Sequence, residues 1–237
     1  MKIAIVSALV GSAVAFAPAP AGRSSTAVRA ALNGWVPDES KFAWGLPGAL
    51  PPFEDGFDPL GLSTGVPLGT IKQWREAEVS HSRVAMLAAL GMLVTEEPIE
   101  FHPLFEAYNK DIGPAIRHLD EVDAVSPFFL AFLTIAIGSV EWNRALTGFA
   151  KPEGSFGFQQ LNENYYPGDV RFDPLGLKPS DPAEFATMQT KELQNGRLAM
   201  LGAAGMIAQE LVDGKEIFVS LGLAADRFDP SSVPIQF

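Results

Sequence analysis

The chain has 237 residues, of which 47% are hydrophobic, and its formal net charge is −11. It contains no cysteine, which excludes disulfides, zinc–thiolate sites, iron–sulfur clusters and thiol nucleophiles. The acidic charge argues against nucleic-acid binding, which requires a basic face.

Residues 1–31 are predicted to be a targeting segment that is removed from the mature chain, 32–237. The stretch "MKIAIVSALVGSAVAFAPAP" has one lysine and a short apolar run that ends in small residues, as in a signal peptide. The following "AGRSSTAVRA" has two arginines, hydroxyl residues and no acid, as in a transit peptide. The junction "AVAFAP" resembles the bipartite presequences of plastids bounded by extra membranes, and a plain secretory signal is the alternative. Without this segment the chain has 14 basic and 28 acidic residues, so the mature protein is strongly acidic.

The chain contains an internal duplication. Residues 78–94 align without gaps to residues 192–208, with 8 of 17 positions identical. The hexapeptide "FDPLGL" occurs upstream of each copy, at 57–62 and at 172–177. It precedes the first glutamate of the copy by 21 residues in one case and by 20 in the other. Two equivalent halves are therefore expected around a middle segment.

Four helices are predicted, at about residues 70–95, 126–148, 181–213 and 215–226. The first can begin at Thr70, with Gln73 completing a capping box. The third can begin at Asp181, with Pro182 at its first helical position, and Gly214 is a natural stop. The last is short and amphipathic, and we expect it to lie at a membrane interface.

The apolar runs are short for membrane spans. They cover residues 84–94, 126–140 and 198–208, whereas about 18–20 apolar residues are expected for a span. A soluble helical protein is therefore an alternative. The first and third helices become long enough to cross a membrane if their charged ends are neutralised within it.

The duplication offers such a neutralisation. With one middle span, the two repeat helices run in the same direction and their motifs lie at the same depth. Glu78 then faces Arg197, and Glu192 faces Arg83, which gives two reciprocal ion pairs. Small residues on the facing turns are expected to let the helices approach closely; these are Ala85, Ala88, Gly91, Ala199, Gly202 and Gly205.

His81 and Asn195 lie three residues after the two motif glutamates, on the same helical face. A di-iron site would require histidine in both copies, so a metalloenzyme is disfavoured. Magnesium in a tetrapyrrole lacks one axial ligand, which histidine, an amide oxygen or an arginine-neutralised glutamate can supply. Gln209 follows Asn195 on nearly the same face, about 21 Å further along the axis, and offers a second amide ligand.

The motifs "ExxHxRxAML" and "ExxNGRLAMLG", with their paired "FDPLGL" loops, resemble the chlorophyll-binding light-harvesting proteins of plastid thylakoids. The resemblance covers about residues 50–214. It implies an all-α membrane protein with three transmembrane helices, the first and third crossed and related by a pseudo-two-fold axis. It also implies chlorophylls around the helices, two carotenoids along the crossed pair, a stromal N-terminus and no enzymatic activity.

The resemblance also implies roles for individual residues. The implied magnesium ligands are Glu78, His81, Glu141, Glu192, Asn195 and Gln209, while Arg83 and Arg197 are the charge partners. Glu141 is alternatively a solvated helix end. The residues implied to seat carotenoid end rings are Phe57, Asp58, Pro59, Phe172, Asp173 and Pro174. His102 and His118 are candidate ligands of peripheral chlorophylls, or solvated loop residues.

Some features resemble antennae of red-lineage algae rather than those of green plants. Residues 215–226 lack the histidine that green-lineage members carry there. The presequence and the segment "GLPGALPPF" point the same way. This resemblance implies chlorophyll a, chlorophyll c and a fucoxanthin-type or alloxanthin-type carotenoid. The implied partners are a photosystem I or II core, other light-harvesting subunits and thylakoid lipids.

Two functions remain open within this fold. The first is an antenna that passes excitation to a photosystem. The second is photoprotective dissipation when the thylakoid lumen becomes acidic. Its expected sensors are the acidic residues of the first loop, namely Glu96, Glu97, Glu100, Asp111, Asp120, Glu121 and Asp123.

Overall fold

A computed structural model describes residues 32–54, 56–96, 98–99, 101, 113–119, 122, 126, 128–151 and 160–226. Its helices are α1 (Leu68–Thr95), α2 (Phe129–Gly148), α3 (Pro182–Asp213) and the single turn α4 (Ile217–Ser220). Two short 3-10 helices, Phe42–Gly45 and Ala115–Arg117, lie in the connections. Extended pairing within these ranges is limited to two isolated bridges. The predicted helical fold is confirmed.

The first helix begins earlier than its sequence pattern predicts. α1 starts at Leu68, and its N-cap is Pro67, with φ −65° and ψ 150° and no side-chain cap. The backbone N–H of Thr70 donates to the carbonyl of Pro67 at 3.0 Å, so Thr70 already lies in the first turn. The predicted capping box at Thr70 is therefore wrong. The fixed φ of Pro67 already orients the chain for the helix that follows.

The limits of α3 follow the sequence prediction. The carboxylate of Asp181 accepts hydrogen bonds from the backbone N–H groups of Ala183 and Glu184, both at 3.1 Å. Pro182 occupies the first turn, where its missing N–H costs nothing. Gly214 ends the helix with φ 65°, and its N–H donates to the carbonyl of Glu210 at 2.8 Å.

α1 and α3 cross at Gly196. A Cβ atom on Gly196 would lie 2.2 Å from the Cβ of Ser82, so only glycine permits this contact. Ser82 and Gly196 occupy equivalent positions of the duplication, which places the crossing on the local two-fold axis. Val79 and Leu193, another equivalent pair, flank the crossing and are 2% and 0% exposed.

Part of the predicted small-residue contact is wrong. A Cβ atom added to Gly91, Gly202 or Gly205 would meet nothing within 4 Å. These glycines lie on exposed faces, whereas Ala85 and Ala203 are buried. Small residues occur on several faces of both helices. The sequence alone therefore does not indicate which face contacts the neighbouring helix.

α2 is held to the rest of the fold near one end. Arg144, in its last turns, contacts Glu76 of α1 with an Nε–Oε1 distance of 2.7 Å. Gly148 is the one residue of α2 that is buried. Large apolar side chains along its length, such as Phe132 and Val140, remain exposed. Most of the apolar surface of α2 is therefore not covered by the other residues that the structure describes.

One helix among the described residues, α1, is both long and apolar enough to cross a membrane by length and composition. Three transmembrane helices therefore remain a prediction. The C-terminal amphipathic helix predicted for residues 215–226 is shorter than expected, because α4 covers only Ile217–Ser220. Gly222 adopts φ 71° and its N–H donates to the carbonyl of Val219, which ends the turn.

The crossing gives a direct test of packing. Gly196→Ala forces a methyl group against Ser82 and is expected to lower the free energy of unfolding by about 1–3 kcal/mol. Thermal denaturation of the purified protein measures the effect. Gly202→Ala, in the same helix with open space around it, is the matched control. The double variant Ser82→Gly/Gly196→Ala removes the Ser82 side chain that the new methyl group would meet and should recover stability. Equal midpoints for Gly196→Ala and Gly202→Ala would contradict the contact.

Candidate functional site

Two reciprocal ion pairs connect α1 and α3. The Nε of Arg83 lies 2.8 Å from Oε1 of Glu192. The Nε of Arg197 lies 2.7 Å from Oε1 of Glu78. The structure thus brings together the pairs expected from the duplication. Each pair leaves a glutamate that is formally neutralised and only partly covered at the surface of the helix pair.

The two pairs are not identical, because Arg75 joins only the pair of Glu78 and Arg197. Its Nε lies 3.2 Å from Oε2 of Glu78, and the residue is 8% exposed. The equivalent position in α3 is Gln189, which accepts a hydrogen bond from the hydroxyl of Tyr166. Glu78 therefore contacts two guanidinium groups and Glu192 one. The sequence signal for Arg75 is its position three residues before Glu78, on the same helical face.

His81 and Asn195 are oriented in the same way. Nδ1 of His81 lies 2.8 Å from the carbonyl of Ala77, which can only accept, so Nδ1 carries the proton. Nδ2 of Asn195 donates to the carbonyl of Lys191 at 2.8 Å. The Nε2 lone pair of His81 and Oδ1 of Asn195 are then the remaining acceptors on two exposed side chains. Such a backbone carbonyl partner is typical of a metal-ligating histidine.

The other predicted amide, Gln209, is oriented by side chains. Its Nε2 donates to Oδ2 of Asp213 and, at 2.7 Å, to Oγ of Ser220. Both amide protons are used, so Oε1 is the group left to bind a metal. Gln209 is exposed on α3.

Glu141 is also paired, on α2. Its Oε2 accepts a hydrogen bond from Nη1 of Arg144 at 2.9 Å, and its side chain is 57% exposed. The same arginine binds Glu76 of α1. Glu141 therefore shares one arginine with Glu76, and its role as a magnesium ligand remains a prediction.

Glu76 forms a buried junction that its sequence position alone does not reveal. It is 3% exposed and accepts hydrogen bonds from Arg144, from the hydroxyl of Tyr165 at 3.0 Å and from the backbone N–H of Gly168 at 2.6 Å. Burial and the neighbouring Glu76 raise the pKa of Tyr165 above its usual value. The junction connects α1, α2 and the segment before α3. A Pro–Gly dipeptide precedes "FDPLGL" in both halves, at 167–168 and at 47–48, but it does not indicate a contact with Glu76.

The two "FDPLGL" loops are closed by their own aspartates. Oδ1 of Asp58 accepts from the N–H of Leu62 at 3.0 Å, and Oδ1 of Asp173 accepts from the N–H of Leu177, also at 3.0 Å. Further bonds from Ser63 to Asp58 lower the pKa of that carboxyl group. The aspartates therefore build the turns, while Phe57 and Phe172 remain exposed.

Two cavities lie beside the ion pairs, one in each half. The first, of about 550 Å³, is lined by Glu78, Arg197 and Phe57. The second, of about 600 Å³, is lined by Glu192, Arg83 and Phe172. Each cavity therefore joins one neutralised glutamate to the phenylalanine of one loop.

The structure gives less support to the two loop histidines as chlorophyll ligands. Nε2 of His118 lies 2.9 Å from the carbonyl of Gly113, which occupies the nitrogen that would otherwise face outward. His102 lies outside the described residues. Both remain predictions. Across the described ranges, no group of three or more histidine and carboxylate side chains is placed to hold a metal ion.

A second pair of equivalent glutamates, Glu96 and Glu210, lies at the far end of the crossed helices. Each follows its motif glutamate by 18 residues. They are 0% and 2% exposed, and their carboxyl groups interact. Glu96 accepts from the N–H groups of Ala115 and Ile217 at 3.2 and 2.8 Å. The other predicted acidic sensors, Glu97, Glu100, Asp111, Asp120, Glu121 and Asp123, lie outside the described residues.

Comparison with known proteins gives consistent matches. The family described as "Chlorophyll A-B binding protein" matches residues 42–211. Light-harvesting complex stress-related protein 3.2 of Chlamydomonas reinhardtii is 45% identical over 214 residues, covering 90% of this chain and 80% of its own. A fucoxanthin-chlorophyll a-c binding protein of Isochrysis galbana is 48% identical over 177 residues, covering 73% and 80%. A chlorophyll a-b binding protein of Petunia hybrida is 33% identical over 207 residues, covering 83% and 73%.

The unequal ion pairs predict unequal effects of mutation. Arg83→Leu leaves Glu192 without its arginine at a surface proposed to face lipid, and is expected to cost about 2.5–3.5 kcal/mol of unfolding free energy. Arg197→Leu should cost less, because Arg75 still contacts Glu78. Arg83→Leu/Glu192→Leu should recover part of the loss. Thermal unfolding of the four proteins measures this order, and equal stability of the wild type and Arg83→Leu would contradict a stabilising pair.

Proposed function

The chain belongs to the chlorophyll a-b binding protein family, and we propose that it is a light-harvesting antenna subunit. In this proposal it binds chlorophylls and carotenoids and passes excitation to a photosystem. The orientation of the candidate ligands carries the proposal. Glu78 and Glu192 are each neutralised by arginine, while His81 and Asn195 each use one nitrogen internally and keep one acceptor outward.

These side chains fit chlorophyll because it needs one axial donor for its magnesium. Hard Mg²⁺ accepts carboxylate and amide oxygen, and imidazole nitrogen also serves. Bound chlorophyll supplies light absorption and excitation transfer. The chain's own residues fix the position of each donor and pair each ligand glutamate with an arginine, and no catalytic residue is assigned. The proposed ligands are Glu78, His81, Glu141, Glu192, Asn195 and Gln209.

We further propose that α1, α2 and α3 all cross the membrane. Trp74 in α1 and Trp142 in α2 are exposed and lie near the ends that Arg144 and Glu76 join. Tryptophan is enriched at membrane–water interfaces, so these residues fit one interface. The uncovered apolar surface of α2 fits lipid and pigment neighbours in place of water. A stromal N-terminus follows from the family resemblance.

The two cavities beside the "FDPLGL" loops are proposed to hold carotenoid end rings. The cavity of the first half has mostly apolar walls with a few polar groups, as ligand sites commonly do, whereas about half of the lining residues of the second are polar or charged. The loop residues in this proposal are Phe57, Asp58, Pro59, Phe172, Asp173 and Pro174. Chlorophyll a, chlorophyll c and a fucoxanthin-type or alloxanthin-type carotenoid are proposed, since one relative is named a fucoxanthin-chlorophyll a-c binding protein.

The proposed location is the plastid thylakoid membrane. The names of several relatives mark them as chloroplastic, and residues 1–31 are proposed to be the removed targeting segment before a pigment-binding domain at 32–237. The proposed partners are a photosystem I or II core and other light-harvesting subunits.

Pigment analysis of variants tests this function. His81→Leu and Asn195→Leu each remove the outward donor and should each lower the chlorophyll content by about one per polypeptide. Denaturing extraction and pigment chromatography of the purified membrane protein measure it. Thr187→Ala, an exposed substitution on α3, is the control. Colourless wild-type protein in the soluble fraction, or unchanged pigment in both leucine variants, would contradict the proposal.

A second candidate function, acid-triggered dissipation, is favoured by Glu96 and Glu210. Two buried carboxyl groups that interact cannot both carry charge at low cost. Oε1 of Glu210 has no hydrogen-bond donor in the described part of the chain. Protonation would therefore alter the contacts that hold Ala115 and Ile217. Three relatives carry "stress-related" in their names.

Fluorescence lifetime separates the two functions. If the protein dissipates energy, its chlorophyll lifetime should shorten between about pH 7.5 and about pH 5, as the carboxyl groups take up protons. Glu96→Gln/Glu210→Gln imitates the protonated pair and should give a short lifetime at both pH values. Glu184→Gln, an exposed acid at the other end of α3, is the control. A lifetime unaffected by pH and by the double variant would favour the antenna alone.

A further inference from the structure

The three outward-facing neutral ligands are not held by the same kind of partner. His81 and Asn195 use backbone carbonyls four residues earlier in their own helices. Gln209 instead uses two side chains, Asp213 at the end of α3 and Ser220 in α4. Its equivalent in the first half is Thr95, whose hydroxyl donates to the carbonyl of Gly91 at 2.9 Å. The Gln209 arrangement is therefore an addition of the second half.

The partners of Gln209 form a closed triangle of hydrogen bonds. Gln209 donates to both Asp213 and Ser220, and the hydroxyl of Ser220 donates to Oδ2 of Asp213 at 2.7 Å. An acid in the last turn of a helix opposes the helix dipole, so Asp213 is not placed there to stabilise α3 itself. Its hydrogen bonds instead orient the amide.

The position of Ser220 is itself fixed. The backbone N–H of Ile217, at the start of α4, donates to the carboxylate of Glu96 at 2.8 Å, and Ile217 is buried. α4 is thereby tied to the residue that follows α1. Ser220 faces Gln209 because that single turn is held in place.

We propose that Asp213 and Ser220 are positioning residues for the pigment ligand Gln209, and that the α4 turn is part of this pigment site. A glutamine side chain has several rotatable bonds and can present either its oxygen or its nitrogen outward. With both N–H bonds directed to Asp213 and Ser220, only Oε1 faces the surface, as magnesium requires. The inference rests on the proposed function, because it assumes that Gln209 ligates a chlorophyll.

The test compares Ser220→Ala and Asp213→Ala with Gln209→Leu in the purified pigment–protein. Gln209→Leu should lose about one chlorophyll and give an absorption difference spectrum characteristic of that site. Loss of an outer partner typically weakens metal binding by about 10–100-fold. Ser220→Ala and Asp213→Ala should therefore show the same difference spectrum at lower amplitude, and Ser220→Thr should restore the wild-type spectrum. Asp226→Asn, which alters a nearby acid paired with Lys215, is the matched control.

The melting temperature of each variant is also measured. It separates a loss of pigment that is caused by poor folding, for example of Asp213→Ala, from a loss at the Gln209 site alone. A selective loss at the Gln209 site in Ser220→Ala, with an unchanged melting temperature, supports the inference. If Gln209→Leu loses a chlorophyll while Ser220→Ala and Asp213→Ala both keep their full chlorophyll content, the inference is overturned and the proposed function stays intact. A general loss of pigments with a lower melting temperature in Ser220→Ala shows a structural role and also overturns it. Full pigment content in Gln209→Leu overturns the ligand assignment itself.

Discussion

The crossing of two equivalent helices constrains the rest of the structure. Charged side chains within a membrane are costly unless they are paired, and the duplication pairs them because each helix carries both a glutamate and an arginine. Close approach at Gly196 and Ser82 brings Glu78 and Arg197 within 2.7 Å. The same contacts that join the helices also neutralise the carboxylates. Pigment ligands can then occupy the outer surface without an unpaired carboxylate beside them.

The symmetry of the helix pair is broken by a small number of residues. Arg75 gives Glu78 a second cation, where α3 has Gln189. Glu76 ties α2 to the first half only. Gln209 offers its ligand only in the second half. The two equivalent halves therefore carry proposed pigment sites that differ in charge and in the hydrogen bonds that hold the ligand. These differences are a physical basis for distinct pigment environments in one small protein.

Local and repeated features could be predicted from the sequence, and features that depend on distant contacts could not. The Asp181 cap and the Gly214 stop follow from residues adjacent in the chain. The ion pairs follow from the duplication. The face of closest approach was predicted only in part, because small residues occur on several faces of both helices. The hydrogen bonds of Glu76 join segments about ninety residues apart, and no local pattern indicates such partners. Glu96 and Glu210 could have been paired by extending the alignment, since both follow their motifs by 18 residues.

The most direct test is an experimental structure of the purified pigment–protein at a resolution that shows side chains. We expect tetrapyrrole magnesium at about 2.0–2.1 Å from the carboxylates of Glu78 and Glu192. We also expect both carboxylates still to contact the arginine of the opposite helix. A structure in which these glutamates have no tetrapyrrole, or in which they bind magnesium only after losing their arginines, would contradict these expectations.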